Sequence, residues 1–143
     1  MSAKPSKTAT PTARDAARVA DFRVALRRFV HRTERVAREC GLTPRWYLLL
    51  LLIKGAPDLS ERSTVTDLAD RLHLAQSSVT ELVARAEQAG LIDREPSADD
   101  ARVAYLRLTE EGERRFSEAF QSLKAERQAL REAITGLESE VLD

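Results

Sequence analysis

The chain is poor in the residues that most often carry chemistry, with one cysteine, two histidines, five glycines and 5% aromatics in 143 residues. A single thiol, Cys40, excludes an intramolecular disulfide framework and fits a reducing compartment. His31 and His73 are far apart and, with one cysteine, give no CxxC or HxxxH spacing for a metal. There is no glycine-rich phosphate loop and no legible Ser-His-Asp or Cys-His set, so the sequence reads as a non-enzyme without cofactor or metal. The longest apolar run, Trp46 to Ile53, has eight residues, too few to cross a bilayer. Residues 1–14 lack the apolar stretch of a secretory signal. No membrane partner is expected, and the expected location is cytoplasmic.

Hydrophobic residues at 43% and charged residues at 32% describe a globular, helix-rich chain. Its length favours one domain, with or without helical extensions. The 23 basic and 23 acidic groups cancel, but they are not evenly spread. Residues 1–54 hold 12 basic groups against four acids, whereas residues 110–143 hold five against nine. What matters to a polyanionic partner is where the charge sits, so a net charge of zero does not exclude one. The basic half is either a nucleic-acid face or a solvated helix side.

Residues 1–14, with Lys, Ser, Thr and two prolines, read as a flexible tail. Residues 15–42 predict an amphipathic helix whose apolar positions Val19, Phe22, Leu26, Phe29, Val30, Thr33 and Val36 recur every three or four residues. Gly41 ends it, and Thr43-Pro44 opens a second helix that is apolar on every side. Thr64 to Thr66 predicts one small strand and Asp67 to Leu72 a short helix. A break at His73-Leu74-Ala75 and a helix over Gln76 to Ala89 follow. Leu91-Ile92 leads into a strand, Glu95 to Ala101 forms a polar turn, and Val103 to Leu108 alternates as a returning strand. Two short helices, a turn and a hairpin make a winged helix-turn-helix order over residues 43–109. Residues 110–143 predict one further helix with the seam Phe116, Phe120, Leu123, Leu130, Ile134, Leu137 and Val141. So long a seam exceeds what one small domain covers, and a second copy of the chain is the economical partner; the alternative is packing against the first helix of the same chain. The expected fold is mainly α: a three-helix core with a small β-hairpin wing, flanked by long N- and C-terminal dimerisation helices.

Val65-Thr66-Asp67-Leu68-Ala69, Ser77 to Val83, Gly90 to Arg94, Asp100-Ala101-Arg102 and Leu108 to Gly112 follow one another in an order and spacing that resembles the MarR family of bacterial transcription regulators. With its flanking helices, the resemblance covers residues 15–143. It implies a homodimer with interleaved first and last helices, acting as a repressor or activator at pseudopalindromic operators in double-stranded DNA. It also implies release of DNA by a small aromatic or phenolic ligand in many members.

An α-helix fits the major groove, and the residues expected to reach base edges or phosphates from the recognition helix are Gln76, Ser77, Ser78, Thr80 and Arg85. The bland alternative for the short hydroxyls is capping and surface polarity. At the wing, Arg102 suits the enhanced negative potential of a narrow minor groove. The family's Asp-x-Arg pattern implies that Asp100 orients it. Arg94, at the wing's base, is a second basic candidate for DNA, with pairing to nearby acids as the alternative. The chain departs from the family at Glu81, where members often carry arginine; a glutamate there either repels phosphate or accepts from a cytosine amino group. Ala75 stands where a capping Ser or Thr is expected, and residues 60–109 hold six basic groups against nine acids. Arg45, Trp46 and Tyr47 are the ligand candidates, an indole to stack an aromatic acid and a guanidinium to pair with its carboxylate; the rival reading puts both aromatics in the core. Cys40 lies at the end of the first helix, whereas the resemblance implies a reactive cysteine near its beginning in peroxide-sensing members, so Cys40 reads as a structural thiol. The acidic lobe and Glu81 keep a second class open, a winged-helix adaptor for protein partners that does not read DNA.

Overall fold

The computed structural model describes residues 9–141, with side chains to residue 138. Its elements are α1 (Ala13–Glu39), α2 (Pro44–Lys54), α3 (Val65–Leu72), α4 (Gln76–Gln88), β1 (Ile92–Pro96), β2 (Ala104–Leu108), α5 (Glu110–Ser122) and α6 (Lys124–Val141). The protein is thus mainly helical with one antiparallel hairpin, the expected winged helix-turn-helix. Most of the expected 1–14 tail, residues 1–8, lies outside the described residues, as does the side chain of Val141. The chain divides into two compact units, Thr33–Leu123 and Met1–Arg32 with Lys124–Asp143; the division falls inside α1 and at the junction of α5 and α6.

In the Thr33–Leu123 unit the core is built around α2. Thr43 accepts a hydrogen bond from the Trp46 amide at 3.1 Å, and Pro44 occupies the first turn, where its missing N–H costs nothing. Leu49, Leu50 and Ile53 are fully buried, each stabilising the fold by about 1.5–3 kcal/mol. They pack in one cluster with Leu68 of α3, Val79 and Val83 of α4, Ile92 and Leu106 of the hairpin, and Phe116 of α5.

Thr64 to Thr66 is not a strand. The pairing there is one bridge, Ser63 with Leu106, and the Thr64 hydroxyl instead accepts from the Asp67 amide at 3.1 Å to start α3 at Val65. A β-branched run with an N-capping threonine is ambiguous on sequence, and with only one residue of edge to pair with, the cap prevails. The hairpin is also longer than expected. Glu95 and Pro96 belong to β1, opposite Tyr105 and Ala104, so the wing's tip starts at Ser97.

The base of the wing is tied to α5 at close range. The Thr109 amide donates to Leu91 O at 3.0 Å, and its hydroxyl donates to Gly90 O at 2.6 Å while accepting from the Gly112 amide. Gly112 has no substitute here, because a Cβ would lie 2.1 Å from Leu91 O. Gly90 is required for its backbone alone: φ is +75° where α4 ends, letting the Leu91 amide donate back to Ala86 O at 3.0 Å. At the start of α5, Arg114 and Arg115 hold the Glu111 carboxyl at about 2, and Arg115 also donates to Gly41 O at 2.8 Å.

The single helix expected over 110–143 is two. The chain leaves helical geometry at Leu123, whose side chain is buried in the core of this unit. One residue earlier the Ser122 hydroxyl donates to Glu118 O at 2.8 Å, a back-bond that competes with the helix ladder.

The other unit pairs the first part of α1 with α6. Arg32 donates to Glu126 at 3.0 Å. Phe22, Leu26, Phe29, Leu130 and Leu137 are half-buried, and Val19, Val30 and Ile134 are exposed. Among the described residues none in this unit is fully buried, so its apolar seam has no enclosed core.

Candidate nucleic-acid interface

The turn between α3 and α4 passes through His73 in the left-handed region, φ 54°, with the Leu74 amide donating to Ala69 O at 3.1 Å. That turn lets α4 bury Val79, Val83 and Ala86 and leave Gln76, Ser77, Ser78, Thr80 and Arg85 exposed. The Gln76 amide nitrogen donates to the Thr66 hydroxyl at 3.3 Å, linking the start of α4 to the first turn of α3. Ala75 supplies no side-chain cap. Arg85 donates to Glu81 at 2.7 Å, with both side chains about two-thirds exposed.

On the wing, the Arg102 side chain is 91% exposed. Asp100 accepts from its amide at 2.9 Å and from its Nε at 3.3 Å, while Ser97 Oγ accepts from the Asp99 and Asp100 amides. The tip is therefore a hydrogen-bonded loop that holds one guanidinium into solvent. Arg94 is engaged differently, donating to Glu87 of α4 at 2.7 Å and tying the strand to the helix. An exposed pair of this kind contributes little stability, so its effect is to fix direction.

Sequence reasoning passed over two cations at this edge. Arg62 lies over the Tyr105 ring, 4.2 Å from its centroid, and Arg107 donates to Glu95 across the hairpin at 3.4 Å. The signal for both is the alternation in β2: with Leu106 inward, Tyr105 and Arg107 must face out.

A cleft of about 660 Å³ is lined by Arg38, Arg45, Trp46, Leu82 and Arg85 among others. Tyr47, grouped with Arg45 and Trp46 on sequence, is not there. It is buried, its ring stacked on Phe116 with centroids 5.7 Å apart, because consecutive residues on a helix point about 100° apart. Cys40 is half-buried, and burial, followed by the charges of Glu118 and Glu39, pushes its thiol up. A protonated thiol is a poor nucleophile. Among the described residues no His, Cys, Asp and Glu group is placed to hold a metal, and no helix is long and apolar enough to cross a membrane.

Residues 41–103 match the model of the MarR family. The transcriptional repressor IacR of Pseudomonas putida is 30% identical over 86 residues, 59% of this chain and 48% of that protein. The transcriptional repressor MdtR of Bacillus subtilis is 35% identical over 85 residues, 59% of this chain and 52% of that protein. The chain thus spans about half the length of the curated relatives it matches. A MarR family transcriptional regulator from Streptomyces coelicolor, solved in complex with DNA, shares the fold with a TM-score of 0.62 at 24% identity, over 91% of this chain and 79% of that one.

Proposed function

We propose that this chain is a homodimeric transcription repressor of the MarR family that reads a pseudopalindromic operator. The observation that carries the proposal is the pairing of an exposed polar face on α4 with Arg102, held into solvent by Asp100 at the wing's tip. A helix of this size enters a major groove, and a lone guanidinium on a hairpin enters the minor groove beside it. Gln76, Ser77, Ser78, Thr80 and Arg85 are the contacts on the helix, Arg102 the contact on the wing, and Arg94 steers the wing through Glu87. Dimerisation is supported by the seam of α1 and α6, where Val19, Val30 and Ile134 stay exposed in a single chain.

The cleft at Trp46, lined by Arg38, Arg45 and Arg85 and also by Glu34 and Glu81, supports a small aromatic acid as effector, with the indole to stack on and a guanidinium to meet its carboxylate. Since Arg85 also belongs to the helix that reads DNA, such a ligand competes with DNA for it.

An anisotropy titration tests the proposal, using DNA around the protein's own coding region with random-sequence competitor at two salt concentrations. The expected result is binding that survives competitor and saturates at one dimer per pseudopalindrome, with half-sites about one helical turn apart. Failure to enrich any sequence from a random library overturns it and leaves the adaptor reading.

A further inference from the structure

We infer that Glu81 is a specificity-determining residue, accepting a hydrogen bond from the N4 amino group of one cytosine in each operator half-site, with Arg85 holding it and facing the guanine of the same pair. The inference rests on α4 being the helix that enters the groove.

With 3.6 residues per turn, burial of Val79, Val83 and Ala86 leaves Ser77, Glu81, Ala84 and Gln88 on the opposite side. Ser77 and Ala84 are short, and Gln88 closes the helix. Glu81 is therefore the long side chain at the middle of the outward face, where a docked helix meets base edges. A carboxylate among phosphates is repelled unless it meets a donor, and the amino donors of the major groove are cytosine N4 and adenine N6. Adenine sets the acceptor N7 beside its amino group, which repels a carboxylate, whereas cytosine offers the amino group without a neighbouring acceptor of its own. The guanine opposite presents O6 and N7, which suit a guanidinium. Arg85 is already bonded to Glu81 at 2.7 Å through one nitrogen, and a guanidinium has further N–H donors to turn toward that guanine. The pair offers one acceptor and one donor set side by side, the pattern of a single C·G pair. It also cancels its own net charge, so the carboxylate approaches the groove without adding to the repulsion.

Selection from a random-sequence DNA library, run on the full chain and on Glu81→Ala, Glu81→Gln and Arg85→Ala, tests this. The wild type should enrich cytosine about tenfold at one position per half-site. Glu81→Ala should weaken that preference to what Arg85 draws from the paired guanine and keep every other position, and Glu81→Gln should turn it toward adenine, whose N6 and N7 match an amide. Arg85→Ala should weaken the same position without moving it. Identical base frequencies for wild type and Glu81→Ala would overturn the inference and leave the operator-binding reading intact, reducing Glu81 and Arg85 to a helix-surface ion pair. A wild type that enriches nothing would sink the operator reading itself.

Discussion

Arg102 combines two properties that usually exclude each other, being 91% exposed and yet held, through Asp100, at both its amide and its Nε. A long side chain normally loses rotamer freedom on binding, and here part of that loss is already taken in the free protein. Arg102→Ala should therefore weaken operator binding by about 1–3 kcal/mol while leaving the oligomeric state unchanged. Fluorescence anisotropy and light scattering on the same sample measure both. Unchanged affinity at physiological salt would remove the wing from the mechanism. Arg94 is a contrasting case, since its bond to Glu87 ties it to α4 and leaves it less exposed.

At the scale of elements, the hairpin's direction depends on where β1 leaves α4 and where β2 enters α5, and both points meet at Leu91. Its carbonyl accepts from Thr109 and lies against Gly112. Gly112→Ala places a methyl group 2.1 Å from a backbone oxygen that the Thr109 amide already holds, so neither side can yield cheaply. Overpacking of this kind costs about 1–3 kcal/mol, and urea unfolding should show a loss of that size. A melt identical to wild type would mean that the α5 start and the wing base are free to move apart. Alanine is ordinarily the better helix former, so a propensity argument alone predicts the opposite sign.

At the scale of the whole molecule, the Thr33–Leu123 unit has a closed core, but the unit of α1 and α6 does not among its described residues. Ile134 is 39% exposed in the single chain, so an aspartate there costs a monomer little. In a dimer that buries the seam, the same carboxylate is desolvated without a partner. Ile134→Asp should convert the dimer to a monomer of unchanged helix content, read by sedimentation and circular dichroism. A stable variant dimer, or a wild type that sediments as a monomer, would refute the seam as the interface. Charge acts at this scale too. Residues 60–109 carry six basic groups against nine acids, so few phosphates are neutralised and the salt dependence of DNA binding should be shallow.

The order of helices and strands was legible because the signals that set it act within a few residues. Thr43, Thr109 and Gly90 cap helix ends through bonds to near neighbours, and the apolar run of α2 marks a buried helix whatever surrounds it. Thr64 used the same local chemistry, but it competed with a strand reading that only the shortness of the available edge could reject. The break at Leu123 lay beyond reach, because an apolar residue at the right step of a seam looks the same whether the helix continues or the side chain turns into a core. The candidate site divides the same way. Which residue types stand on α4 and the wing, and that Trp46 and Tyr47 point apart, follows from the sequence, but the burial of Tyr47 on Phe116 and the bond of Arg94 to Glu87 depend on packing between elements. Local hydrogen bonding and hydrophobic period thus determined the elements of this protein. Local pairs also aim Arg102 through Asp100 and Arg85 through Glu81. Tertiary structure alone decided the direction of Arg94 and Arg62, because the groups that hold them belong to other elements of the fold.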